Sequence, residues 1–187
     1  YLTASDNNNI SENTANGNSE DGIYLTASDN NNISENTANG NWAGIFLDGS
    51  ISHLIKMNTA TGNNFAGIYL YSSNSNTISG NTANGNSEDG IYLTSSDNNN
   101  ISENTANGNN FAGIYLYSSS NKNTISVNTA SSNSQYGIYL ESSSDSTIYL
   151  NTFDNTNNAF SDSANNWNIT TPWTFAYNGR ILTGFLG

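Results

Sequence analysis

The chain has 187 residues, 15 Asp and Glu against 3 Lys and Arg, a formal net charge of −12, no Cys, and only 34% hydrophobic residues. That charge argues against nucleic acid and anionic membranes as partners, and the lack of Cys removes disulfides and thiolate metal sites. Such a composition alone would suggest disorder, but a repeat of 22 to 24 residues overrides it: Tyr1 to Asn18 recurs unchanged as Tyr24 to Asn41, and mostly again at Tyr92 to Asn109.

Within each repeat the elements follow a fixed order. Gly-Ile-Tyr-Leu comes first, at Gly22, Gly44 (with Phe46), Gly67, Gly90, Gly113 and Gly137. Ile and Leu alternate with an aromatic, which predicts a short strand with the aliphatics inward and the ring outward. The outward column is Tyr24, Phe46, Tyr69, Tyr92, Tyr115 and Tyr139, with Tyr1 before it and Tyr71 and Tyr117 beside it. It forms a candidate contact strip for sugar rings or a second protein.

A lone Ile follows, at Ile10, Ile33, Ile55, Ile78, Ile101, Ile125 and Ile148. Three residues later stands Asn13, Asn36, Asn58, Asn81, Asn104, Asn128 or Asn151, then Thr, then a small residue that is usually Ala. A second Asn column runs from Asn18 to Asn133. Asn at a turn bonds its own backbone and the amides of the coils above and below, so Asn13 to Asn151 is predicted to be an inward structural ladder.

Three short strands per repeat, turned by Asn, Ser and Gly, describe one coil of a right-handed parallel β-helix. No stretch suits a helix. About seven coils span residues 1–156, and 157–187, where the period lapses, is predicted to be an apolar capping segment carrying Trp167, Trp173, Phe175, Tyr177, Ile181, Leu182 and Phe185. The chain opens in mid-repeat at Tyr1, so it reads as a piece of a longer polypeptide whose first coil offers unpaired backbone groups for self-association.

Chemistry-bearing residues are sparse. Lys56, Lys122 and Arg180 are far apart, and the carboxylates Glu12, Glu35 and Glu103 or Asp6, Asp29, Asp97 and Asp145 recur with the repeat instead of forming one constellation. No catalytic residue is assigned on this basis. Glu20-Asp21 and Glu88-Asp89 read as solvated acidic turns, with calcium the only cofactor their oxygens would suit. Asn9, Asn32, Asn100 and Asn168 begin Asn-X-Ser/Thr sequons and are candidate N-glycosylation sites, the first three in one column.

The run Asn76 to Thr82 (Asn-Thr-Ile-Ser-Gly-Asn-Thr), followed by Asn-Gly-Asn and Gly-Ile-Tyr-Leu, resembles the NosD-like β-helix repeats common in secreted and cell-surface proteins of methanogenic archaea. Asn165-Asn166-Trp167 and Ala176-Tyr177-Asn178-Gly179 resemble the segment that follows the last coil there. The resemblance implies an all-β solenoid and an extracellular or cell-surface location. It also implies copper, for which this chain supplies one His, His53, and one Met, Met57, so no metal ligand is assigned. The sequence thus predicts a non-enzymatic structural subunit of a sheath, surface layer or filament, partnered by copies of itself or other surface proteins. The alternative is a carbohydrate-binding or adhesive module using the Tyr ladder, and a polysaccharide lyase or hydrolase ranks third.

Overall fold

A computed structural model describes residues 1–167 and the backbone of 173–177 and 180–184. Its parallel strands stack as a β-solenoid of about seven turns, with no helix among the described residues. One eight-stranded sheet collects the Ile-Tyr-Leu strands, from Leu2–Thr3 and Ile23–Thr26 through Tyr136–Glu141 to Asn157–Ser161. A second eight-stranded sheet collects the lone-Ile strands, from Asn9–Ser11 to Asn166–Trp167. The third side is thinner than three full strands per coil: single Thr-to-Thr bridges run from Thr14 to Thr129, and true strands appear only where Thr129–Ser131 pairs with Thr152–Asp154.

Pairing is in register, residue for residue, so like stacks on like. Ile45 faces Ile68, Phe46 faces Tyr69 and Leu47 faces Leu70. Ile33, Ile55, Ile78 and Ile101 form an inward aliphatic column on the second sheet, and Ala38, Ala60, Ala83 and Ala106 form one on the third side. Gly precedes each Ile-Tyr-Leu strand because there is no room for a side chain: a Cβ on Gly90 would lie 2.6 Å from the Gly113 carbonyl oxygen and 2.7 Å from the Ala106 Cβ.

The parallel ladders continue past the point where the sequence period lapses. Asn157–Ser161 pairs with Tyr136–Glu141, and Asn166–Trp167 pairs with Thr147–Tyr149. Backbone pairing needs an extended chain and not a particular side chain, so Ala159 takes the Ile place and Phe160 the Tyr place. Trp173–Tyr177 and Arg180–Gly184 pair as an antiparallel hairpin. The side chains of Trp173, Phe175, Tyr177, Arg180, Ile181 and Leu182, with all of Asn168 and Phe185, lie outside the described residues.

Buried polar columns hold the corners. The Asn36 backbone N–H and Nδ2 both donate to Asn58 Oδ1 at 2.9 Å, and Asn58 Nδ2 donates back to the Ile33 carbonyl at 2.8 Å. The same pattern links Asn81, Asn104, Asn128 and Asn151. Asn41, Asn63, Asn86, Asn109 and Asn133 form the second column. Each amide oxygen accepts a backbone and a side-chain N–H, so burial costs little. Two further columns are absent from the sequence reading: a Ser column through Ser28, Ser50, Ser73 and Ser96, and a third Asn column through Asn31, Asn76, Asn99 and Asn123.

That third Asn column carries a defect. His53 replaces Asn, is 2% exposed, and its Nδ1 accepts the Asn31 N–H at 3.1 Å, which leaves Nε2 buried without a partner. Burial pushes its pKa below the ordinary 6.5. A lowered folded-state value means that the neutral form is favoured in the fold, and stability is lost as pH falls below the ordinary value. His53→Asn would restore an amide with partners on both sides. It is expected to raise stability by about 1–2 kcal/mol at neutral pH and to reduce the loss on acidification, as urea denaturation at several pH values would measure.

A turn column needs left-handed backbone whatever residue stands there: Glu12, Glu35, Met57, Gly80, Glu103, Val127 and Leu150 have φ between 55° and 64°. Only Gly80 fits at no steric cost, and Val127 is β-branched and 50% exposed. Val127→Gly is expected to stabilise the protein by about 1 kcal/mol, read as a higher denaturation midpoint. Unchanged or lower stability would show that the turn carries no strain.

Candidate functional site

The outward side chains of the first sheet form a continuous aromatic surface. Ring centroids are 4.9 Å apart for Tyr24–Phe46, 4.5 Å for Phe46–Tyr69, 5.1 Å for Tyr69–Tyr92 and 5.0 Å for Tyr92–Tyr115, all stacked. Tyr139 meets Tyr115 edge to face and stacks on Phe160. These rings are half-buried instead of fully exposed, because each is sandwiched by its neighbours. Two phenols are anchored: Tyr24 Oη donates to Asp48 at 3.0 Å and Tyr115 Oη donates to Glu141 at 2.6 Å. Burial pushes the phenols of Tyr69 and Tyr92 up to about 12.

A second aromatic column, missed in the sequence because it is incomplete, runs beside the first. It occupies the position two residues before each conserved-phase Gly: Glu20, Trp42, Phe65, Glu88, Phe111 and Gln135. Backbone bonds fix its order, with the Phe65 N–H donating to the Trp42 carbonyl, the Glu88 N–H to the Phe65 carbonyl, and the Phe111 N–H to the Glu88 carbonyl. Trp42 stacks on Phe65 at 4.7 Å. Phe65 stands edge-on to Tyr69 and Tyr92, and Phe111 edge-on to Tyr139.

At the Glu88 rung this surface opens into a groove of about 340 Å³ lined by Asn64, Phe65, Glu88, Asp89, Tyr92, Phe111 and Tyr115. Reading Glu88-Asp89 as a solvated turn holds for Glu88, which is exposed, and fails for Asp89, which is 3% exposed. The reason is the column: its counterparts Ala43, Ala66 and Ala112 face the core. Asp89 Oδ1 accepts the Ala112 N–H at 3.0 Å. Burial pushes its carboxyl up to about 8, against the Ala112 N–H bond that holds it down and with the Glu88 charge adding to the rise, which favours the protonated form, a donor of a hydrogen bond or a proton. Asp21, in the same column, is pushed up to about 6 by burial, and its Oδ1 has no partner.

The sequon column lies elsewhere. Asn9, Asn32 and Asn100 sit on the second sheet; Asn9 and Asn100 are exposed, while Asn32 is half-buried with its Nδ2 donating to Asn9 Oδ1 at 2.7 Å. No helix among the described residues is long and apolar enough to cross a membrane.

Among the solved structures similar to this rod are carbohydrate-active enzymes. A periplasmic alginate epimerase AlgG T265N mutant matches with TM-score 0.73 and 23% identity over 81% of this chain and 42% of that one. DFA-IIIase from Arthrobacter chlorophenolicus A6 matches with TM-score 0.59 and 10% identity over 76% and 45%. The A-module of the mannuronan C-5 epimerase AlgE6 from Azotobacter vinelandii matches with TM-score 0.51 and 17% identity over 84% and 56%. The chain therefore spans about two fifths of the length of the alginate epimerase, and at these identities the likeness is one of fold. No curated protein matches the sequence.

These neighbours correct two expectations: the non-enzymatic sheath, surface-layer or filament subunit, and the reading of the chain as no enzyme. The physical reason is that a Glu-Asp pair before Gly reads as a solvated turn, whereas Asp89 is buried beside an aromatic groove.

A family profile described as periplasmic copper-binding protein (NosD) matches residues 1–187. The donors here do not fit copper. His53 is committed through Nδ1 to Asn31 inside the rod, Met57 points outward at 63% exposure, and no group of three His, Cys, Asp or Glu among the described residues could hold a metal. In fold and in repeat, across its whole length, this chain belongs to the NosD family.

Proposed function

We propose that the chain binds carbohydrate on the aromatic face of its first sheet, in a periplasmic or extracellular setting. The observation that carries this reading is the stacked ladder from Tyr24 to Tyr115 with the groove between Phe65 and Phe111 beside it. The ladder offers ring edges for the C–H groups of a glycan lying along the rod, and the groove beside it adds apolar walls with a few polar atoms for the hydroxyls. The carbohydrate-active neighbours and the periplasmic descriptions of the family and of AlgG support the reading. Tyr92→Ala combined with Tyr115→Ala is expected to weaken glycan binding at least about tenfold, or 1.4 kcal/mol, in calorimetric titration. Binding unchanged by both substitutions would move the site off this face.

Asp89 favours a second reading, in which the same groove processes the glycan it binds. A protonated carboxyl at neutral pH, buried against apolar walls, is a suitable general acid. Its raised pKa also has a stability consequence. Because the folded-state value lies above the ordinary 3.8, the contribution of Asp89 to stability is full in acid and is lost as pH rises through about 8. Asp89→Asn keeps an acceptor for the Ala112 N–H and removes the charge. The variant is expected to melt at a higher temperature than the parent at about pH 9 and to match it near pH 4, as differential scanning calorimetry would measure. Turnover of any glycan should disappear in the same variant.

A further inference from the structure

Three coils place an aromatic two residues before the Gly of the first-sheet strand, as Trp42, Phe65 and Phe111, and the coil between the last two places Glu88 there. The flanking sequences make the contrast plain: Asn-Asn-Phe-Ala-Gly at 63–67 and 109–113, against Asn-Ser-Glu-Asp-Gly at 86–90. Backbone bonds from Glu88 N–H to the Phe65 carbonyl at 3.0 Å and from Phe111 N–H to the Glu88 carbonyl at 2.9 Å put Glu88 one rung from each ring. Two coil spacings separate Phe65 from Phe111, roughly 9–10 Å. An open rung therefore lies between the two aromatic rungs, and a ring placed midway would sit roughly 4.8 Å along the rod from each, within the range of aromatic contact.

We propose that this open rung is a subsite for a single pyranose ring bearing an amino group, clamped between Phe65 and Phe111 with its amine at Glu88 and a hydroxyl at Asp89. The inference rests on the carbohydrate-binding reading and adds the chemical class. Charge decides that class. The groove is lined by two acids and no base, and the whole chain carries −12. Lys56 is on the second sheet and Lys122 in the turn before its strand Thr124–Ser126, both away from the groove lining. A uronate would bring its carboxylate to Glu88 with no cation to receive it, whereas an ammonium group gains a charged partner. Asp89 reinforces the site from behind: it is buried, with Ala66 and Ala112 at the same position in the coils on either side. The Glu20-Asp21 pair does not duplicate the arrangement, because among the described residues it has an aromatic neighbour on one side only, Trp42.

The test uses the double variant Glu88→Phe with Asp89→Ala, which writes the Phe-Ala-Gly of the neighbouring coils into this one and fills the open rung. Its thermal stability is expected to equal or exceed that of the parent, so lost binding would not be lost folding. Titrations would use chitosan, chitin and oligogalacturonate oligomers of equal length. The parent is expected to bind the amino oligomer at least about tenfold more tightly than the uronate one, and the variant to lose at least about tenfold in affinity for the amino oligomer. Equal affinity for uronate, or a variant that binds as the parent does while the Tyr92 and Tyr115 double variant fails to bind, would overturn the subsite and leave the aromatic-face reading standing. No binding of any oligomer by the parent would overturn both.

Discussion

In-register parallel pairing governs this molecule: every side chain has its own column's occupant roughly 4.8 Å above and below it. A residue type survives in a column only if it tolerates a copy of itself at that distance. Ile and Leu do so by interlocking, rings by stacking, and Asn by donating its backbone and side-chain N–H groups to the amide oxygen of the next Asn. This accounts for a rod with so little hydrophobic sequence. Its corners are sealed by satisfied amides and hydroxyls where a globular domain would use more apolar volume.

The same constraint explains why function should appear where a column is broken. A column of like residues makes a surface that is uniform along the rod, which can bind an extended ligand but cannot define a single position on it. Glu88 stands between Phe65 and Phe111, and Asp89 between Ala66 and Ala112, so both columns change at one coil. The interruption removes a ring from the outer stack and puts a carboxyl into a place shaped for a methyl group. A site thereby arises without any change in backbone, since the bonds through Phe65, Glu88 and Phe111 run on undisturbed.

The fold was legible because period and phase survive in the sequence without any alignment of relatives. Asn13 to Asn151 and the Ile-Tyr-Leu strands recur at fixed offsets, and offsets of that length leave only a solenoid. The Ser column at Ser28, Ser50 and Ser73 was harder to see, because Ser is abundant in the turns and its phase is lost among neighbours of the same type. The candidate site was harder still. Trp42, Phe65 and Phe111 are three aromatics in a column that also holds Glu and Gln, so their alignment emerges only when backbone bonds order the rungs. Burial of Asp89 was visible in principle from the Ala that stands at residues 43, 66 and 112, but a Glu-Asp pair before Gly reads naturally as a solvated turn. The change of ladder end, from Asn157 to Trp167, escaped for the opposite reason: pairing there is by backbone alone and leaves little trace in side-chain identity.

A chain whose first two repeats are identical from Tyr1 to Asn18 and Tyr24 to Asn41 can dock its strands one coil out of step and still satisfy most of the same contacts. Such misaligned forms are close competitors of the native state during folding. The coil holding Trp42, Gly49 and His53 is the one that differs most from its neighbours, and only one placement puts His53 Nδ1 opposite the Asn31 N–H and Trp42 on Phe65. The irregular coil, with its buried and unpartnered His53 Nε2, works as an index mark that tells otherwise interchangeable turns which neighbour is theirs.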